Sequence, residues 1–387
     1  MTKSSVVFTT IKESVLAGES IGNQILTGLD NKPDVVVIFA SSHYDYKPLL
    51  KAVKKTCSPS ILIGCSSAGE YISNTQSEGA ISALAISSTE MQFSAGIGKD
   101  IKNSISNVAE DIVSTFSGMK DFKYPHKCSL VLADALAGYT DNLVEELNTL
   151  TDGTYQFFGG GAGDDAKFNK THVFYGTQAF TNAAVALEIL SHKPLGIGVK
   201  HGWETASKPM RVTESKDMKL VSLNSIPVLE IFKEHADLTN QTFDLGDPIP
   251  FFLHNVIGIK TVNGYQLRVP LNINSDGSIE CASNIPTGAT VHIMKTTSQS
   301  AAHAAHEALE NALLQMNGEK ANVALFFDCV ATRLRTGNNF LNELNVIQKG
   351  LGDTPFVGCN TYGQIARVDG QFNGFHNCTA VVCVIPQ

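Results

Sequence analysis

Ile61-Leu-Ile-Gly-Cys-Ser-Ser-Ala-Gly-Glu70 and Pro355-Phe-Val-Gly-Cys-Asn-Thr-Tyr-Gly-Gln364 are one pattern written twice. Each is a short apolar run followed by glycine, cysteine, small or polar residues and a second glycine. Upstream of each lies a second apolar run, Asp34 to Ala40 and Asn322 to Asp328, then a helical stretch around Tyr46 to Lys55 and Asn339 to Gln348. A continuous apolar run is the mark of a strand buried on both faces. A strand–helix–strand segment of about thirty residues is the size of a parallel crossover unit. Alternating apolar residues follow each turn, Ile81 to Ile86 and Thr379 to Ile385, and read as antiparallel strands that make the sheets mixed.

A looser copy lies between them. Ser129 to Asp134 is its first strand, Asp141 to Leu150 its helix, and Gln156-Phe-Phe158 leads into Gly159-Gly-Gly-Ala-Gly-Asp-Asp165. That turn reads as one residue shorter than the other two. The expected fold is α/β with mixed sheets, in two domains built from repeated strand–helix–strand–Gly-turn–hairpin units. Between the second and third copies the pattern changes. Leu195 to Val199 alternates, Val228 to His235 is helical, and Asn263-Gly264 and Asp276-Gly277 are hairpin signals. Ser300 to Met316 is an amphipathic helix with an alanine-rich apolar face. The domain boundary is placed near residue 222, dividing the chain into 1–222 and 223–387.

The chain has 387 residues with 43% hydrophobic and 17% charged, enough for two buried cores. Its formal net charge of -8 argues against a nucleic-acid partner and against docking on an anionic membrane. The N-terminus shows no secretory h-region, and no apolar run is long enough to span a bilayer. Eight cysteines occur without a CxxC pair, so they read as reduced thiols, and a cytoplasmic location is expected. No P-loop occurs. Gly64 to Gly69 has its second glycine one residue late for a nucleophile elbow. Cys65 and Cys359 read as structural. An enzyme with a Cys65 nucleophile is the third-ranked alternative, so the expectation is no enzymatic activity.

Several motifs occur in a fixed order: the Gly64–Glu70 turn, Phe157 to Asp165, Gly198-Val-Lys-His-Gly-Trp203, Val212-Thr213, Gly246-Asp-Pro-Ile-Pro250, Gly358 to Gln364 and Asn377-Cys-Thr379. In that order the chain resembles the FIST proteins, bacterial intracellular signal-transduction sensors with an N-terminal and a C-terminal FIST domain. The resemblance covers roughly residues 33 to 385. One departure is Gln364, where the family usually has glutamate, which Glu70 keeps. The resemblance implies small-ligand sensing coupled to a separate protein, a histidine kinase or a cyclic-di-GMP signalling protein. A homodimer is expected. The stand-alone architecture is similar to the nitric-oxide-sensing branch, which implies haem as cofactor and nitric oxide as ligand. The alternative is a FIST sensor for an amino acid or another small metabolite, without haem.

Haem needs an apolar slot and usually one axial histidine. His201 is a candidate because Leu195, Ile197, Val199, His201 and Trp203 share one face of an alternating strand. His306 lies at the flank of the amphipathic helix, whereas His303 points to solvent. His376 lies near the third glycine turn. His43 lies past the C-terminal end of the first strand, the edge where open α/β sheets bind ligands. His201, His306 and His376 are the candidate axial ligands. Arg333 and Arg335 offer forks for a carboxylate or a haem propionate.

Overall fold

The three apolar strand pairs lie in three separate sheets, and each sheet is covered on both faces. The computed structural model describes residues 1–73, 75–121, 123–262, 264–367 and 374–387. In Val35–Ser41, side chains alternate between two cores. Val35, Val37 and Phe39 face a core shared by all three sheets, where they meet Leu130, Leu132, Phe158, Leu325, Phe327 and Val357. Val36 and Ile38 face the helices Ser14–Leu29 and Tyr46–Cys57. Burial on both sides is why the run carries no polar residue before its end. The same arrangement recurs over His126–Ala133 and Ala321–Cys329, each under its own helices.

Each unit is longer than its turn motif indicated. It opens with an outer strand and a helix before the first central strand. In unit 1 these are Thr2–Thr9 and Ser14–Leu29, and in unit 2 Met91–Lys99 and Ile105–Val113. In unit 3 they are Gly196–Lys200 and Ser298–Gln315, with a separate sheet inserted between them. The alanine-rich helix therefore belongs to the repeat and not to the insertion. Its alanines let strand and helix backbones approach. A Cβ on Gly196 would stand 1.9 Å from the Ala312 carbonyl oxygen, and one on Gly198 would stand 1.8 Å from that of Ala308.

The first glycine of each turn has a steric cause. The parallel central strands set Gly64 opposite Ile38, Gly159 opposite Val131 and Gly358 opposite Phe326. A Cβ at these glycines would lie 1.9, 2.1 and 1.8 Å from the facing carbonyl oxygens. No side chain fits there. This register corrects the reading of the middle turn. Gly163, not a missing residue, is the counterpart of Ala68, and residues 164–172 form a loop before the strand Val173–Tyr175 where the other turns have the single glycines Gly69 and Gly363. The middle unit is longer at this point.

The hairpin after each turn leaves its own sheet. Glu70–Ile72 and Thr75–Ser77 extend the sheet of unit 3, pairing with Phe356–Thr361. Val173–Tyr175 and Gln178–Phe180 extend unit 1, and Gln364–Arg367 and Gly374–His376 extend unit 2. The exchange is cyclic: each unit donates one hairpin and receives one.

The insertion is a sheet in the order Gly264–Arg268, Val256–Thr261, Thr290–Lys295, Met210–Lys216, Lys219–Leu223, Ile279–Cys281 and Pro270–Ile273. Its core is aromatic, with Phe232, Phe251 and Phe252 packed on Val212, Ile257 and Ile293. Of the two hairpin signals, Asp276-Gly277 joins Pro270–Ile273 to Ile279–Cys281, with Gly277 at φ +79°. Asn263 lies outside the described residues. Among the described residues no helix is long and apolar enough to cross a membrane.

Candidate functional site

Parallel strands end with unpaired backbone groups and chain reversals, so their C-terminal edges gather loops. In units 2 and 3 these edges face the inserted sheet across a cleft of about 1200 Å³. One wall comes from the segment 135–142 and the short helix Val330–Thr336. The other comes from 215–219, 269–271 and 282–287 of the insertion. Six large apolar side chains that the fold leaves exposed stand on this cleft: Leu136, Tyr139, Phe168, Met218, Ile249 and Leu334. A concentration of apolar surface of this kind marks a binding site.

One end of the cleft is polar. The Arg268 side chain is 2% exposed and donates to Asp141 Oδ2 at 2.7 Å. It also donates to the Asn284 carbonyl at 3.0 Å. Asp141 Oδ1 accepts the Phe375 N–H at 2.8 Å, and Ser283 Oγ donates to its Oδ2 at 3.1 Å. Asp141 belongs to unit 2, Phe375 to unit 3, and Arg268 and Ser283 to the insertion. Three parts of the chain therefore converge on one carboxylate.

The aspartates after the middle glycine run organise the rim. Asp164, 2% exposed, accepts the N–H groups of Phe168, Asn169 and Lys170 at 2.9, 2.7 and 2.7 Å. It also accepts the Tyr362 hydroxyl. These bonds curl the loop so that Phe168 stacks on Tyr362 at the cleft, with ring centroids 4.4 Å apart. Asp165 accepts from the Ser41 and Ser42 hydroxyls at 2.8 and 2.5 Å, tying the loop to unit 1.

None of the histidines singled out in the sequence lines the cleft, although His376 lies between Phe375 and Asn377, which do. His201 stands beyond the end of Gly196–Lys200. Leu195, Ile197 and Val199 enter the shared core, whereas Trp203 packs with Cys329 and Cys378 in another cluster. The His201 ring is held at both nitrogens. Nε2 donates to the Tyr265 carbonyl at 2.9 Å, and Nδ1 accepts the Trp203 N–H at 3.3 Å. Burial lowers its pKa and keeps it neutral, which suits this tautomer. His306 is 42% exposed on its helix and pairs with Glu310 at 3.5 Å. His303 is 72% exposed, in keeping with its expected solvent position. His376 is buried, in the strand facing Gln364. His43 is exposed, meets Ser41 Oγ at 2.9 Å and lies against the Tyr44 ring.

The arginines also separate. Arg335 lies over the Trp203 ring, 5.2 Å from its centroid. It sits near the buried carboxyls of Asp328 and Glu343, both of which burial raises above their usual range. Arg333 points away from the cleft and pairs with Glu78 at 2.8 Å. Neither the candidate axial ligands His201, His306 and His376 nor His43, Arg333 and Arg335 line the cleft, so they do not fit as a haem site there. Cys65 is fully buried in the shared core beside Cys359, where a substrate has no access to it. Among the described residues no group of three or more His, Cys, Asp or Glu side chains is placed to hold a metal ion.

The residues that line the cleft were not singled out as site residues in the sequence. Asp141 and Arg268 carried no motif, being 127 positions apart. A signal for the rim was present in Asp164, since an acidic residue directly after a glycine run offers an acceptor to the backbone N–H groups that follow.

A family model for the FIST N domain matches residues 34–226, and one for the FIST C domain matches residues 229–367. Comparison with curated proteins gives no match. Among solved structures, a cyanuric acid hydrolase from A. caulinodans aligns over 100% of both chains at 6% identity, with a TM-score of 0.37. T. maritima PurL complexed with FGAR aligns over 99% of this chain and 72% of its own, at 9% identity and a TM-score of 0.24. Likeness at this level carries no inference about chemistry.

Proposed function

The chain belongs to the FIST family, whose domains are small-ligand sensors in signalling proteins, and from this premise we propose that it senses an amphiphilic organic molecule bound in the cleft between the repeat body and the inserted sheet. The carrying observation is the gathering of exposed apolar side chains on one cleft that has the pair of half-buried Asp141 and buried Arg268 at its end. The walls would hold the apolar part of the ligand. Ser283 and the Asp141–Arg268 pair would orient its polar end. Because the two walls belong to different parts of the chain, a ligand that touches both favours one spacing of them over others. A partner that reads this spacing would receive the signal, and a histidine kinase or a cyclic-di-GMP protein is the proposed receiver.

Haem bound by the four histidines is disfavoured as occupant, because they do not line the cleft. The test is a titration with an environment-sensitive apolar fluorophore and, separately, with haemin. The parent protein is expected to bind the fluorophore, and Leu136→Asp to weaken it about tenfold, in line with desolvating a charge in place of an apolar contact. Any Soret band formed with haemin is expected to persist in the His201, His306, His376 and His43 variants. Loss of that band in one of them, or fluorophore binding unchanged in Leu136→Asp, would overturn the reading.

A further inference from the structure

Cys329 and Cys378 pack in one cluster with Trp203, the chain's only tryptophan. Their meeting follows from the sheet. Ala321–Cys329 runs antiparallel to Ala380–Pro386, with Phe327 opposite Val381. Cys329 lies just past that pair on one strand, and Cys378 just before it on the other. The Cys378 thiol interacts with the Cys329 sulfur. Cys329 also lines the cleft, so a small solute has a path to it despite its 3% exposure.

The repeat supplies an internal comparison. By strand register the counterpart of Cys329 is Ser41 in unit 1 and Asp134 in unit 2. The Asp134 carboxylate accepts the N–H groups of Leu136 and Asn182. In unit 2, then, this place surrounds an anionic side chain with donors. In unit 3 it holds a thiol. The Cys378 thiol, together with the N–H groups of Cys378 and Ala331, holds Cys329 down to about 7, against its burial and the nearby Asp328. Arg335 lies near both sulfurs, and its Nε and Nη2 have no hydrogen-bond partner among the described residues. A cation there favours the thiolate.

The counterpart of Cys378 in unit 1 is Gly79. Both have left-handed backbone, with φ +74° at Gly79 and +54° at Cys378. Outside glycine that conformation is uncommon and costs stability, yet unit 3 places a cysteine there, against Cys329. Cys65 and Cys359 are a contrasting pair. Their thiols also interact, but both are 0% exposed in the shared core and neither lines the cleft. Burial raises Cys359 well above its usual range.

We propose that Cys329 and Cys378 are a peroxide-reactive pair that closes to a disulfide on the cleft wall. The Cys329 thiolate attacks one oxygen of hydrogen peroxide and breaks the O–O bond. Cys329 becomes a sulfenic acid, and the departing hydroxide takes up the proton that the thiol released, leaving as water. The Cys378 sulfur then attacks the Cys329 sulfur. The S–O bond breaks, hydroxide leaves with the Cys378 proton as a second water, and the S–S bond forms. Two thiols are oxidised while one peroxide is reduced to two waters. The reaction does not depend on what the cleft binds.

The test is peptide mapping of the full chain after treatment with hydrogen peroxide and alkylation. A Cys329–Cys378 crosslink is expected, reversed by dithiothreitol, with the other cysteines still open to alkylation on unfolding. Trp203 emission is expected to fall as the disulfide forms beside the indole and to recover on reduction. Unit 1 itself supplies the two variants. Cys329→Ser is expected to slow peroxide consumption about tenfold or more and to abolish the emission change. Cys378→Gly is expected to stop at the sulfenic acid, which dimedone traps on Cys329. Thermal melts show which variants remain folded, and the crosslink map needs only the parent. The proposal fails if the parent forms no Cys329–Cys378 crosslink, or if Cys65 and Cys359 crosslink as readily. It fails equally if folded Cys329→Ser consumes peroxide as fast as the parent.

Discussion

Glu70→Gln is expected to be more stable than the parent at pH 8 and nearly equal to it at pH 5. Glu70 is fully buried at the turn of unit 1, and burial pushes its carboxyl up to about 8. Its oxygens accept from Ser67 Oγ at 2.5 Å and from the Ala80 N–H at 2.9 Å, bonds that only partly offset the burial. With the folded value above the unfolded one, the unfolded chain releases its proton first as pH rises. The stabilising contribution is complete below about pH 4.5 and is lost as pH climbs through about 8. A shift of this size corresponds to at most roughly 4–5 kcal/mol, and glutamine removes the dependence because it has no proton to lose.

The third unit already contains this substitution. Gln364 Nε2 donates to Thr361 Oγ1 at 2.9 Å, and its Oε1 accepts from Thr379. Thr361 and Thr379 are the register counterparts of Ser67 and Ala80. In unit 2 the same service falls to Asp134, which accepts the N–H of Asn182, the residue before the return strand. The departure from glutamate at position 364 thus preserves a structural bond. Melting temperatures of parent and variant across pH 5 to 8 check the prediction. Parallel curves would show that Glu70 does not titrate in this window.

Asp141→Asn is expected to destabilise the protein by about 2–3 kcal/mol, because it leaves the buried Arg268 guanidinium without its acid, Asp141 itself being 21% exposed. The Arg268 guanidinium keeps its charge with 2% exposure, and Asp141 is the acid that supports it there. Replacing both residues, as Asp141→Leu with Arg268→Met, is expected to recover most of the loss, because no charge remains buried. Denaturant midpoints of the two variants and the parent measure this. The single variant should also lose fluorophore binding in the cleft, since the same pair joins the insertion to the repeat body.

The fold was legible where the chemistry is local. Glycines that face a carbonyl across parallel strands recur at positions 64, 159 and 358, so the repeat shows in the letters. The outer strand and first helix did not show as parts of the repeat, although Leu195 to Val199 and Ser300 to Met316 of unit 3 were legible as a strand and a helix. Ser14–Leu29 and Ser298–Gln315 bury different side chains, glycine and isoleucine against alanine, and share only a place in the order. The hairpin exchange was hidden for a related reason. A strand such as Glu70–Ile72 reads the same whichever sheet it joins. His201 lies beyond the strand, because alternation persists in the sequence after the strand has ended at Lys200. The cleft was illegible because Asp141, Arg268 and Phe375 meet only after three parts of the chain have packed.

The cyclic hairpin exchange also sets the order in which the chain can mature on the ribosome. The first hairpin is made well before its sheet partner Phe356–Thr361 emerges. Until then unit 1 carries a loose arm, and unit 2 shows an open edge at Gln156–Gly161 that waits for Gln364–Arg367. The nascent protein thus exposes two sticky surfaces for most of its synthesis. They are closed together by the same short segment, which carries both partner strands.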